Sequence, residues 1–283
     1  MLNHSRISAL VINLTSATAR WEFQKKQLEM LNITHQRIEA TTTDDLTNEE
    51  YEKWANHWQR KLRRTEVACF LSHYRVWQKI VKEKRAFLVL EDDALLSKHL
   101  PEALRFLEND QSITYDHITF ETRGRKKLIA KQSILESEYF SLHTLFLDKT
   151  GAAAYLLTPS GAKKLLDEVD KKGAALADAL LCHTKALKKL QAVPALAIQM
   201  DMASHYEMPN LKQPSVAKSN ISTKSNSKPM PNSLSDKLAF KSKRLAAQVD
   251  MGIIQAKYSN QSNYLEIAPN ENDFIYLAPL LKK

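Results

Sequence analysis

Nowhere does this chain of 283 residues hold an apolar run approaching the ~20 residues of a membrane span, so no spanning helix is expected. Cysteine is scarce. Cys69 and Cys182 are the only two, both in apolar stretches with helical patterning. Two thiols make no disulfide framework, and they are expected free in a reducing cytoplasm. There is no internal repeat, which excludes solenoid and propeller architectures. The opening MLNHSRISALVINL has only a short apolar stretch and no small-residue cleavage site, so a secretory signal is not expected there.

Apolar content of 43% and charged content of 26% are those of an ordinary soluble globular protein. The length suits one large domain or two small ones. The net charge of +9 is unevenly placed. Nine basic residues and two acids lie between Leu211 and Lys257, so seven of those nine charges belong to this stretch. The first two hundred residues hold 30 basic and 25 acidic residues, a net of only +5. A nucleic-acid partner is therefore not expected, because it would call for basic residues woven with aromatics through the folded surface.

Hydrophobic patterning gives an alternating series. Ile7–Leu14 reads as a buried strand, Trp21–Leu31 as a helix with Trp21, Leu28 and Leu31 inward, and His35–Thr41 as a second strand. Residues 44–64 are polar helical pieces or a mobile loop. A helix starts at Thr65 with Cys69, His73 and Trp77 on one face. Ala86–Leu90 is apolar throughout, as a central parallel strand covered on both faces would be. Further strands are expected at Asp116–Glu121, Tyr139–Leu147, Gly151–Thr158 and Val193–Gln199, with helices from Pro159 and over Ala175–Leu190. This is an α/β chain with crossover connections and a mostly parallel sheet flanked by helices. Residues 211–233, rich in Ser, Asn, Lys and Pro, read as a flexible linker. Residues 234–283 read as a basic helical segment with Leu238, Leu245 and Val249 on one stripe.

FLVLEDDALL (Phe87–Leu96) drives an apolar strand into three acids, Glu91, Asp92 and Asp93. Ligands of open α/β sheets gather at the carboxyl ends of strands. Adjacent carboxylates repel and resist desolvation unless a cation neutralises them. Hard oxygen donors suit Mg²⁺ or Mn²⁺, which commonly hold a diphosphate as well. The competing reading is a helix start, with the acids as N-cap residues.

The company of the triplet decides between them. VINL followed by Arg20, EVACFLSHYRVW (Glu66–Trp77), LVLEDDA (Leu88–Ala94) and GAAAYLLTPSGAKKLL (Gly151–Leu166) occur in this order. Together they resemble the family 25 glycosyltransferases of lipopolysaccharide and lipooligosaccharide biosynthesis, over roughly residues 7–205. Two departures stand out. Thr65-Glu66-Val67-Ala68 replaces the family's Gly-Glu-Ile-Gly, and the Pro-x-Asp motif keeps only its acid, Asp178.

The resemblance implies a GT-A-like, Rossmann-like catalytic domain over residues 1–210 that transfers a hexose with inversion. The donor is expected to be UDP-galactose, with UDP-glucose as the alternative, and the acceptor a lipooligosaccharide. The triplet becomes the family's DxD-type motif, with Asp93 and Glu91 on Mn²⁺ or Mg²⁺ and Glu91 or Asp92 toward the ribose or a metal-bound water. Arg20, Glu66, Ser72 and His73 are donor-binding candidates; the competing readings are Glu66 as complement of the helix dipole and His73 as a core histidine. Trp77 and Tyr155 read as packing. Asp178 is the candidate base. His205, or its rival Asp201, would complete the metal shell. The basic helix suits an anionic membrane surface, which makes the chain a peripheral protein on the cytoplasmic face of the inner membrane. From another class, the same tail could serve a non-catalytic binder of nucleic acid or anionic surfaces.

Overall fold

The computed structural model describes residues 6–110, 112–149, 151–208, 211, 229–231 and 233–281. Most of the linker expected at 211–233 lies outside them. Three strands form the opening unit: β1 (Ala9–Asn13), β2 (His35–Glu39) and β3 (Phe87–Glu91), with β1 between the others and parallel to both. Helix α1 (Thr18–Met30) connects β1 to β2. Helices α2 (Asn48–Ala55) and α3 (Arg64–Glu83) precede β3. The polar stretch 44–64 is thus helical in part, and α2 opens on a Thr47–Glu50 capping box.

Beyond β3 come β4 (Ala94–Leu96), α4 (Leu100–Asn109), β5 (His117–Thr119), β6 (Glu121–Thr122), β7 (Lys126–Glu136), β8 (Ser141–Leu147) and β9 (Ala154–Leu157). Helices α5 (Pro159–Lys172) and α6 (Ala177–His183) lead to β10 (Lys189–Val193) and β11 (Ala197–Gln199). A long helix α7 (Leu234–Tyr258) and strand β12 (Ser262–Glu266) complete the set. The main sheet runs β12-β7-β8-β10-β5-β9-β3-β1-β2, and a small sheet runs β4-β11-β6.

The α/β class holds, and the sheet is mixed. Parallel pairing is confined to β2-β1-β3 and to β5-β10; β9 lies antiparallel between β3 and β5, and β8, β7 and β12 extend the sheet antiparallel. Of the antiparallel neighbours only β7 and β8 are joined by a hairpin-length loop; β9, β10 and β12 reach their partners through longer connections.

The central strands are apolar throughout because both their faces are covered. Leu88 and Leu90 of β3 enter one core with Ala9 and Val11, while Phe87 and Val89 enter the other with Leu10 and Ile12. Each of these leucine, valine, isoleucine and phenylalanine side chains contributes about 1.5–3 kcal/mol when fully buried. The first core lies under α1 and α4, the second under α3, α5 and α6.

Two expectations change. The helix foreseen over Ala175–Leu190 ends at His183, and its last residues begin β10. The 234–283 segment is helical only to Tyr258. It then returns to the fold through β12, which pairs with β7, and through Phe274 and Leu277, both fully buried against Leu95, Ile198 and Met200.

Three strands step from the large sheet to the small one at the same level: β3 to β4, β5 to β6 and β10 to β11. Beside this step lies a buried ion pair, Lys127 Nζ to Asp148 Oδ2 at 2.8 Å. The ammonium also donates to the Glu121 carbonyl and to Gln191 Oε1. Removing one member of a buried pair strands the other charge. Lys127→Met should cost about 3–5 kcal/mol in urea unfolding, and Lys127→Met/Asp148→Leu should recover most of it. Equal losses in the single and double variants would contradict this.

Candidate active site

The acid triplet occupies the step between β3 and β4. Asp92 and Asp93 form the turn itself, and Ala94 already pairs with Gln199 of β11. A helix start at these acids is thereby excluded.

Helix α1 grips this turn with polar groups. Arg20 Nη1 donates to Asp92 Oδ1 at 2.7 Å and lies 3.9 Å from Asp93 Oδ2. One turn on, Gln24 Nε2 reaches the Ala94 carbonyl at 2.6 Å. Gln27 donates to the same carbonyl and accepts from Leu96 N–H. The spacing i, i+4, i+7 puts all three on one face. Asn13, the polar end of β1, donates from Nδ2 to Asp92 Oδ2 at 2.7 Å and is itself fixed by Arg37 Nε. Both Asp92 oxygens are therefore occupied. Burial still pushes this acid upward, against Arg20 and Asn13.

Glu91 is oriented by a chain of hydrogen bonds from the opposite core. Trp77 Nε1 donates to Tyr155 Oη at 3.0 Å, Tyr155 lies 2.9 Å from His73 Nδ1, and His73 Nε2 lies 3.2 Å from Glu91 Oε1. One proton assignment satisfies every member: the tyrosine hydroxyl donates to Nδ1, and Nε2–H donates to the carboxylate. Gln199 Nε2 holds the other Glu91 oxygen at 3.2 Å. Burial opposes ionisation of Glu91, but the His73 hydrogen bond and the charges of Arg123 and Arg20 keep its acid below the usual range.

Asp93 differs from its neighbours. Its Oδ1 is buried and has no hydrogen-bond partner. Burial, then the negative charge of Glu91, push its acid up to about 7, with Asp92 and Asp201 adding to the rise and Arg20 opposing it. Asp93 thus offers a hard oxygen donor with too little positive charge around it, two residues from the compensated carboxylate of Glu91. This set fits Mg²⁺ or Mn²⁺.

Asp178, in the first turn of α6, belongs to the same electrostatic neighbourhood. Burial raises its acid, the bond it accepts from Ala179 N–H opposes, and Glu91 raises it further. The exposed Cys69 thiol lies close enough to Glu91, Asp178 and Asp93 to feel their negative charge. Among the described residues, Cys69, His73 and Glu91 are the one group of three potential ligands whose donor atoms lie within 4.8 Å of one another.

Other expected site residues have internal partners. Glu66 is held by both terminal nitrogens of Arg60 at 2.7 Å and accepts from Arg63 N–H at the start of α3. Burial opposes its ionisation, yet Arg60 and Arg63 draw its acid below the usual range. Ser72 Oγ donates to the Ala68 carbonyl and accepts from Thr41 N–H, tying α3 to the loop after β2. His205 is not gathered with Glu91 and Asp93. It stands half exposed, 3.1 Å from Glu266 of β12. Its rival Asp201 pairs with Arg123 at 2.9 Å, close enough to act on Asp93.

Sequence reasoning missed Glu121, which follows the second step between the sheets. It is 1% exposed; Oε1 accepts from Ala153 N–H at 3.1 Å, and Oε2 has no partner. At Gly151, with φ +134°, an added Cβ would lie 2.5 Å from Glu121 Oε1, so glycine is required there. Burial pushes the Glu121 acid to about 8, with Lys127 opposing and Glu91 adding to the rise. The folded state holds this proton more tightly than the unfolded chain, so stability falls as pH rises from about 4.5 through about 8. Glu121→Gln should remove that slope. Its thermal midpoint should exceed the parent's by roughly 2–4 °C at pH 9 and lose this advantage at pH 5. Parallel pH profiles would contradict the assignment.

Comparison with known proteins places the chain in a family. The family model described as Glycosyltransferase family 25 (LPS biosynthesis protein) matches residues 6–181, a span that includes Arg20, the triplet and Asp178 and excludes His205 and α7. The lipooligosaccharide biosynthesis protein lic2B of Haemophilus influenzae is 29% identical over 165 residues, 55% of this chain and 60% of that protein. A putative glycosyltransferase of H. influenzae strain Rd is 26% identical over 209 residues, 70% of this chain and 72% of that one. Human procollagen galactosyltransferase 2 is 30% identical over 118 residues, 38% of this chain and 17% of that protein. The match therefore spans less than two thirds of lic2B and a small part of the human protein. With more than half of its length matched by the family model, the chain belongs to glycosyltransferase family 25.

Proposed function

We propose that this chain is a metal-dependent, inverting glycosyltransferase that moves galactose from UDP-galactose to a lipooligosaccharide acceptor. The observation that carries the proposal is the Asp93 carboxyl, buried beside Glu91 with one oxygen unpartnered. Family membership supports the reaction class. The names of lic2B and of the human galactosyltransferase suggest the acceptor and the donor sugar.

Asp93 and Glu91 would hold Mn²⁺ or Mg²⁺. When bound, the cation supplies Lewis-acid stabilisation of the charge that develops on the departing UDP. The remaining work falls to the chain. Arg20 and Asn13 keep the turn rigid through Asp92, so Asp92 is a positioning residue. The Trp77–Tyr155–His73 chain does the same for Glu91. Asp178 takes the acceptor proton. Its raised acid brings the conjugate base nearer the strength that deprotonation at neutral pH requires.

Differential scanning fluorimetry tests the site. UDP with Mn²⁺ should stabilise the protein, and Asp93→Asn should abolish the shift. Because a proton competes with the cation at Asp93, the shift should grow as pH rises through about 7. Asp178→Asn should keep the shift and lower turnover by about 10²–10⁴-fold. A panel of UDP-sugars should give the fastest hydrolysis with UDP-galactose; faster UDP-glucose turnover would reassign the donor. No UDP binding and no turnover would favour the non-catalytic reading.

The acceptor is proposed to meet the enzyme at an anionic membrane surface. No helix among the described residues is long and apolar enough to cross a membrane. Helix α7, however, leaves Leu238, Leu245 and Val249 at 68%, 62% and 52% exposure, in line with Leu234 and Ile253. Lys237 and Lys241 lie beside this stripe, and both acids of the helix, Asp236 and Asp250, fall on another face. Such a face suits anionic lipid, at about 1 kcal/mol per basic residue near the surface. The protein should float with anionic vesicles and not with neutral ones, and Leu238→Asp/Val249→Asp should abolish flotation. Point variants are required because β12 follows the helix into the sheet. Unchanged flotation of the double variant would contradict the assignment.

A further inference from the structure

The inner side of α7 faces a second feature. Between α6, β8, the start of β10 and α7 lies a cavity of about 1040 Å³, at the upper end of the range for small-molecule sites. Its apolar walls include Leu145 and Leu147 of β8, Leu180 of α6, Leu187, and Met251 and Ile254 of α7. Phe146 and Tyr258 stack at 4.1 Å where helix and sheet meet.

The charges around this apolar space do not balance. Six lysines and two acids line it. The acids are already engaged, Glu168 by Lys172 at 2.5 Å and Asp250 by Lys185 at 2.9 Å. Lys188, Lys189, Lys243 and Lys257 remain without a carboxylate partner among the described contacts. Lys243 donates to the His57 carbonyl, and Lys257 lies over the Tyr258 ring. Lys189 is the most telling. It donates to the Cys182 carbonyl, and burial pushes its ammonium below the usual lysine range. A desolvated cation against a neutral carbonyl is incompletely compensated. Thr184, also in the lining, is 1% exposed, and its hydroxyl oxygen is buried without a partner. Apolar walls, a partly buried ammonium and an unpaired hydroxyl together describe the complement of one ligand chemistry.

We propose that this cavity binds an amphiphile with a single long apolar chain and an anionic head group. The head group meets Lys189 and Thr184, and the chain lies along the leucines of β8 under α7. The site is separate from the acid triplet. It shares only the short helix α6, which carries Asp178 in its first turn and Leu180 in the cavity wall.

The test uses the full chain and direct binding, measured by native mass spectrometry and by titration calorimetry below micelle-forming concentrations. Oleate and oleoyl lysophosphatidic acid are the anionic probes; oleyl alcohol is the neutral control. At least one anionic probe should bind saturably at one per chain, at least tenfold more tightly than the alcohol. Preference between the two identifies a carboxylate or a phosphate head group. Lys189→Met should weaken that probe at least tenfold. Ala246→Trp, a change at an exposed α7 position that lines the cavity, should do the same without touching the core. Both variants should keep the parent's thermal shift with UDP and Mn²⁺, which separates failure here from failure of the transferase reading. No saturable binding, equal binding of the alcohol, or parent-like affinity in Ala246→Trp would overturn the proposal.

Discussion

The ion pair between Arg20 and Asp92 is the constraint on which the site depends. A turn carrying two successive aspartates after a glutamate would open under its own repulsion. One guanidinium at 2.7 Å and one asparagine amide at 2.7 Å absorb the middle charge. Such charge-assisted bonds are roughly twice as strong as neutral ones. The same helix face then fixes Ala94 and Leu96 through two glutamines. Helix α1 is therefore a clamp as much as a packing element, and it holds the acids at the step between the two sheets.

That clamp divides the labour of three adjacent carboxylates. Asp92 is consumed by structure. Glu91 is aimed by His73 from one side and by Gln199 from the other, and its acid stays below the usual range. Asp93 receives the least compensation and rises to about 7. Similar residues two positions apart are thus given opposite tendencies to ionise by their surroundings alone, a pattern common at working sites. We therefore propose Glu91 as the second working carboxylate beside Asp93.

The parts of the fold written in local pattern were legible in the sequence. The apolar runs of β1 and β3 announced strands covered on both faces, and FLVL led directly to the acids. Arg20 and Asp178 could be chosen because each stands by a recognisable motif. The clamp itself was not legible. Apolar spacing pointed to Trp21, Leu28 and Leu31, whereas Gln24 and Gln27 are fully buried because a strand supplies their partners. Strand β7, KKLIAKQSILE, alternates poorly because part of it faces solvent, so it carried no clear period. Glu121 and Gln199 lie 28 and 106 residues beyond Asp93, and only the paired steps of β5–β6 and β10–β11 bring them near. His205 looked suitable by residue type, and tertiary structure gave it to Glu266 instead.

The central proposal is that Asp93, short of compensating positive charge, and Glu91 together take up a divalent cation. Mn²⁺ titration followed by electron paramagnetic resonance, in the presence of UDP, measures this directly. The account predicts one bound Mn²⁺ per chain in the parent protein and in Asp178→Asn, and its loss in Asp93→Asn. Undiminished Mn²⁺ binding by Asp93→Asn, or none by the parent, would contradict it.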